Sequence, residues 1–332
     1  MIKISVVFSV FMLLASGASS QDFEIALTEW GVPDLQGVWR LATVMPFERP
    51  VELGEKRAYS EAEAVELELI AQKKFDDNNE PLDPNRPPPE AADSLPNIGN
   101  YDLFWREDGQ FLPTINGEFR TSAITDPANG RIPEKMAGVD ERLLRLRHGR
   151  IGRNSDGPEG RSLGERCLIS AGSLSGPVMA PVIYNSNLQF VQSPGYVAIT
   201  AEMVHDTRII RIVDERGAVG ETHRKWMGDS IGRWEGDTLV VETKYYNTWH
   251  TLRGSPVENL TVVETFRQES NSKLIYGFTV DDPSVFTAQF SGEYPLTRLQ
   301  EAMYEYACHE GNYGMVGILA GARKVEQAEE SD

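Results

Sequence analysis

Two dipeptides set an imidazole beside a carboxylate, His205-Asp206 and His309-Glu310, in a chain with 5 histidines. Histidine can both take and give a proton near neutral pH, and a carboxylate can orient its ring. The expected constellation is His205 and His309 in one pocket at one end of a β-barrel, with Asp206 or Glu310 orienting an imidazole. Each dipeptide also fits an ordinary hydrogen-bonded turn or cap. Glu264 is the reserve general base, if desolvation raises its pKa. Arg208 and Arg253 are candidates to hold an anionic group of a ligand or steady developing charge. Trp234 and Tyr313 complete the substrate-binding set. His148 near a helix end and His223 in a polar loop offer less, while His250 follows Trp249 in an irregular stretch that could overhang a cavity.

What the chain lacks narrows the chemistry. No HExxH or CxxC spacing is present, so no metal site is assigned. There is no P-loop and no GxGxxG after a strand, so no cofactor is expected. The remaining enzyme reading is a lyase, isomerase or hydrolase working by acid–base chemistry on a small organic substrate, without a covalent intermediate. The alternative is a carrier for a small, partly apolar ligand. An enzyme should gather ionisable groups in its deepest pocket, and a carrier should line it with Phe, Tyr and Trp.

Cys167 and Cys308 are the only cysteines. In an oxidising compartment a disulfide is the default, and closing so long a loop stabilises by about 5 kcal/mol on a chain-entropy argument. Two buried thiols, or a nucleophilic Cys308 beside His309, are the other readings. Adjacent residues on a strand face opposite ways, which weakens the last.

The elements that must position these groups are mostly strands. Asp34-Leu35-Gln36-Gly37-Val38-Trp39-Arg40 reads as a strand entered from a turn. Ser60 with Glu63 forms a capping box for a helix to about Phe75. Asn78 to Glu90, with five prolines, reads as an extended linker. A second helix is expected from near Pro133 to Gly149. From about residue 187 the period becomes 2: Leu188–Gln192, Tyr196–Met203, Arg208–Val213, Arg224–Met227, Thr238–Tyr245, Leu260–Arg267, Leu274–Val280 and Phe286–Tyr294 read as strands. Gly228 to Trp234 reads as a Gly-rich loop. This spacing indicates a mainly β fold, an antiparallel β-barrel or sandwich with a few peripheral N-terminal helices. Leu260, Val262, Glu264 and Phe266 share one face, taken as inward. A carboxylate there must meet an Arg as a structural pair or line a cavity. Phe286, Ala288, Phe290 and Tyr294 form a second inward face.

Composition bounds partners and place. The chain has 332 residues and a formal charge of −18, which argues against nucleic acid and against anionic membranes. A small-molecule ligand or substrate is the expected partner, and oligomeric state does not follow from the sequence. Residues 1–20 read as a signal peptide: Lys3, an apolar run from Ile4 to Ala15, then Ala18 and Ser20 before a cut at Gln21. That run is too short to span a bilayer, so no stable membrane insertion is expected. The protein is expected to be periplasmic or secreted. Residues 21–33 form a lead, 34–324 one β-rich domain, and 325–332 an acidic disordered tail.

Several segments resemble those of a large set of exported bacterial proteins. They are Arg120-Thr121-Ser122, Gly130-Arg131-Ile132-Pro133, Arg161 to Cys167, Glu202 to Arg208, Gly232 to Thr243, Val280-Asp281-Asp282-Pro283 and Tyr304 to Tyr313. The likeness covers about residues 34–324 and implies one exported family domain; it implies no reaction. Gly37-Val38-Trp39 is similar to the Gly-x-Trp opening strand of lipocalin-like barrels, which implies a lipocalin-like core.

Overall fold

The computed structural model describes residues 23–79, 85, 109–148, 155–169, 176–182, 184–214 and 223–330. The expected signal peptide, nearly all of the proline-rich stretch, Gly149 and the last two residues lie outside these. In chain order the elements begin with β1 (Gly37–Arg40), β2 (Ala58–Tyr59), α1 (Glu61–Asn79), β3 (Phe119–Arg120), β4 (Ile124–Asp126) and α2 (Val139–His148). They continue with β5 (Asn187–Ser193), β6 (Tyr196–Ala201), β7 (Thr207–Ile212), β8 (Asp229–Glu235) and β9 (Thr238–Lys244). The short strands β10 (Thr251–Leu252) and β11 (Ser255–Pro256) precede β12 (Thr261–Ser270), β13 (Lys273–Asp281), β14 (Phe290–Leu299) and α3 (Tyr313–Glu329).

Nine strands close a barrel in the order β1-β5-β6-β7-β8-β9-β12-β13-β14, because β1 pairs with both β5 and β14; β4 adds to the outer side of that order at β14. Closure leaves no free edge within the ring, which removes a template for unwanted strand addition. All pairings in the ring are antiparallel except β7 with β8, which run parallel (Ile210 opposite Ser230, Ile212 opposite Gly232). The barrel is therefore mixed, correcting the all-antiparallel expectation. The register puts the ends of β6, β9 and β13 and the starts of β5, β7, β12 and β14 at one end of the barrel, the lower end.

Alternation decides what points inward. Along β12, Val262, Glu264, Phe266 and Gln268 are buried while Thr261, Val263, Thr265 and Arg267 are only partly so. The inward face expected for this strand is the observed one. Aromatic rings fill the interior: Phe190 meets Phe266 edge-on at 5.4 Å, and Phe266 lies 5.2 Å from Tyr276. Trp39 is fully buried, with the Arg298 guanidinium 4.3 Å from its ring centre. Gly37 beside it holds φ 125°, a backbone conformation that residues with a Cβ rarely adopt.

Other expectations are corrected. Gly228 to Trp234 is largely strand, not loop, and Arg224–Met227 contributes only an isolated bridge at Lys225. Gly232 lies in β8 because a Cβ would meet Ile210 Cγ2 at 2.9 Å and Ile212 Cδ1 at 3.1 Å. No helix starts at Pro133: Met136 N donates to Val285 O (2.8 Å) and Thr287 N to Glu134 O (2.9 Å), so the backbone there is bridged to 285–287 and α2 begins at Val139. The same bridging, with Val285 and Phe286 N–H groups turning back onto Asp282 O, delays β14 to Phe290 and leaves Ala288 exposed.

The Ser60–Glu63 capping box forms as expected, Ser60 N donating to Glu63 Oε2 at 2.8 Å and Glu63 N to Ser60 Oγ at 3.3 Å. The helices are not all N-terminal, for α3 runs through Val325 to Glu329, where an acidic tail was expected. Asn312 caps it, accepting from Met315 N, and Glu326 pairs with Arg323 at 3.0 Å. No helix among the described residues is long and apolar enough to cross a membrane.

Candidate functional site

The lower end of the barrel carries most of the groups singled out above. Cys167 and Cys308 are joined, with Cα atoms 5.8 Å apart. The bond ties the loop around Cys167 to the irregular strap that follows β14, and Asn312 Nδ2 adds a hydrogen bond to Glu165 O (2.8 Å). The strap is pinned to the barrel from the other side by Glu202. That carboxylate is buried at 2% exposure; Oε1 accepts from Tyr304 N (2.7 Å) and Oε2 from Asn187 Nδ2 (2.6 Å).

Between the strap and the end of β6 lies a cleft of about 330 Å³, lined in part by Glu202, His205, Tyr304, Glu305, Tyr306 and Glu310. His205 Nδ1 is 2.9 Å from Tyr306 O. A carbonyl oxygen only accepts, so Nδ1 carries a proton, and in the neutral ring the lone pair is on Nε2. Val204 and His205 both hold left-handed backbone conformations (φ 63° and 49°). For a β-branched residue this is a strained geometry that its surroundings must impose.

The structure thus brings His205 and Glu310 to one cleft but not His309 or Asp206, which do not line it. The two-histidine pocket is corrected accordingly. Cys308 is drawn to Cys167, and the turn that follows returns Glu310 to the cleft while His309 stays exposed. Tyr313 is 82% exposed at the start of α3, and Trp234 lies near the upper end of β8; neither is a cleft residue.

Glu264 and Arg208 meet inside the barrel. Arg208 Nη2 donates to Glu264 Oε1 at 3.0 Å and Nη1 donates to Oε2; Tyr276 Oη donates to Oε1 at 3.0 Å and accepts from Met179 N at 3.0 Å. Nη1 also reaches Thr243 Oγ1 at 3.5 Å, which pairs with Ser230 Oγ at 2.8 Å. Burial alone would lower the Arg208 pKa, but the Glu264 charge and hydrogen bonds outweigh it and raise it. Burial, reinforced by that carboxylate, pushes Tyr276 well up. Glu264 is therefore a structural partner of Arg208, the pairing its inward position demanded, and neither side chain is placed as a reserve base or an anion hook. Tyr276 completes the network; nothing in its local sequence marks it, because its partner lies across the strand register.

A second group sits under the turn joining β10 and β11. The Arg253 guanidinium carbon lies 3.5 Å from the Phe47 ring centre, and Phe47 stacks on Phe278 at 5.5 Å and 6°. His250 stacks on Tyr246 at 6.3 Å, and burial lowers its imidazole to about 4. That shift predicts a pH effect. His250 stays neutral in the fold, while in the unfolded chain it protonates below about 6.5. Its contribution is present above about pH 6.5 and lost as pH falls towards about 4, where the loss reaches up to about 3 kcal/mol. Urea unfolding of wild type and His250→Phe at about pH 7 and pH 4.5 checks this. The variant should lose less stability on acidification; equal losses contradict the assignment.

Among the described residues no three His, Cys, Asp or Glu side chains are grouped to hold a metal ion. No family model matches the chain, and no curated protein matches it.

Proposed function

We propose that this disulfide-bonded β-barrel is an exported enzyme that performs acid–base chemistry on a small organic molecule in the cleft at its lower end. The carrying observation is the His205 ring, whose Nδ1–H is committed to Tyr306 O at 2.9 Å. In the neutral ring Nε2 is then the nitrogen that takes a proton from the substrate and can return it, with the Glu310 side chain in the same cleft. Glu202 is a positioning residue: by holding Tyr304 N it fixes the strap that presents Tyr306 and Glu310. No side chain in this set needs to form a covalent bond with substrate. Export rests on the apolar first twenty residues, and the disulfide supports it. The lipocalin-like resemblance of Gly37-Val38-Trp39 belongs to this proposal, supported by the closed barrel.

The carrier reading is favoured by a different observation, the aromatic interior formed by Phe190, Phe266 and Phe278. Assay of the oxidised protein against lactones, enol esters and epoxides separates the two. The enzyme reading expects turnover of at least one class with no burst of enzyme-bound product. Saturable binding across the panel without turnover supports the carrier.

A further inference from the structure

The cleft between the strap and the end of β6 has a charge arrangement that acid–base chemistry alone does not require. Glu202, Glu305 and Glu310 line it, and no Lys or Arg does. Among the described residues none of these three carboxylates is paired with a cation. Other buried carboxylates of the barrel do meet one: Glu264 pairs with Arg208, and Asp229 with Arg211 at 2.7 Å and Lys225 at 2.8 Å. Glu202 is just as buried, at 2% exposure, yet its oxygens are met by the neutral donors Tyr304 N and Asn187 Nδ2. Those bonds fix the side chain and leave its charge without a counter-charge. Such a charge is costly to bury, and a ligand that brings a cation would relieve it.

The rest of the cleft suits the same kind of ligand. His205 Nδ1–H is committed to Tyr306 O, so in the neutral ring Nε2 offers a lone pair. Carboxylates and this nitrogen accept hydrogen bonds, so they complement a cationic donor and not an anion. Among the described residues no three such side chains are grouped to hold a metal ion. An organic ammonium fits instead, because it carries its charge on N–H donors. Met303 and the rings of Tyr304 and Tyr306 also line the cleft. Aromatic faces attract an ammonium group and pack against apolar carbon. A volume of about 330 Å³ sets a ligand of modest size.

We propose that the cleft binds a small organic amine in its ammonium form, with an apolar or aromatic body. The inference rests on this cleft being the ligand site, as in the function proposed above, and names the chemical class of that ligand. The carboxylates of Glu202, Glu305 and Glu310 supply the counter-charge. The net charge of −18 adds long-range attraction for a cation, and the three local carboxylates add selectivity.

Calorimetric titration of the full-length, oxidised protein with 2-phenylethylamine and with hexylamine, at physiological ionic strength, tests this. The neutral counterparts are 2-phenylethanol and hexanol, and calcium chloride is the competing cation. At least one amine should bind saturably at one site, and its neutral counterpart at least about tenfold more weakly. Glu305→Gln combined with Glu310→Gln removes two exposed carboxylates and should weaken binding about tenfold or more. Glu235→Gln combined with Asp237→Asn removes the same charge in the turn from β8 to β9, at the opposite end of the barrel, and should leave binding unchanged. Amine binding without turnover of any substrate class supports this site and removes the acid–base reading. Turnover of a neutral substrate without amine binding keeps that reading and overturns this one. The proposal also falls if the neutral counterparts bind equally well, if calcium binds the cleft more tightly than either amine, or if the Glu305→Gln, Glu310→Gln variant binds as wild type does while its melting temperature shows it folded.

Discussion

Glu264→Ala is expected to lower the unfolding free energy by about 3–5 kcal/mol, because it leaves the Arg208 guanidinium buried without its carboxylate. Arg208 is 4% exposed and Glu264 is fully buried. The remaining contact, to Thr243 Oγ1 at 3.5 Å, is too long to replace a two-point ion pair, and Tyr276 Oη loses its acceptor as well. The loss measures an orphaned charge more than the worth of the pair. Arg208→Met with Glu264→Leu should therefore recover most of it, since apolar replacement of a buried pair is often neutral or stabilising. Urea unfolding of the two single variants and the double variant gives the coupling directly. A cost below about 1 kcal/mol for Glu264→Ala would show that water reaches the pair.

Replacing both Cys167 and Cys308 by serine should cost about 5 kcal/mol, the upper end for a native disulfide, because the bond closes a sequence separation of 141. This effect acts chiefly on the unfolded chain, unlike the loss at Glu264. It has a local consequence too. Without the bond the strap is held to the barrel by Glu202 at Tyr304 N and by His205 at Tyr306 O. Amide exchange at Tyr304 and Tyr306 should speed up more than at the centre of β12. Equal unfolding free energies for the oxidised and serine forms would contradict the first statement, and unchanged exchange at Tyr304 the second.

The strands whose partners hydrogen-bond along their whole length were the ones most legible in the amino-acid sequence. Thr261–Ser270 announces itself by strict alternation, and its one anomaly, an inward Glu264, already demanded a cation. The disulfide and the capping box are equally local or combinatorial: two cysteines allow one pairing, and Ser60 and Glu63 lie one turn apart. Failures came where a distant segment decides. Gly232 looks like turn chemistry until Ile210 and Ile212 are seen to fill the space a Cβ would need. Pro133 looks like a helix start until 134–136 are seen bridged to 285–287. Glu326 and Glu329 were weighed for charge when their helix propensity and an Asn312 cap decide. In the cleft, His309 looked equivalent to His205, because two His-carboxylate dipeptides carry no record of which residue a disulfide pulls away. Glu202, which holds the strap, was missed because a buried carboxylate serving a backbone N–H leaves no pattern along the chain.

The most direct measurement for the acid–base reading is kcat/KM of His205→Gln, Glu310→Gln and the double variant, on whichever substrate class the oxidised wild type turns over. Each single change should reduce kcat/KM by about 100-fold or more. The double change should cost much less than the product of the two, as expected of groups acting in one proton relay. Melting temperatures should stay close to wild type, since both residues are exposed. Turnover retained at the wild-type level in folded His205→Gln would contradict the account.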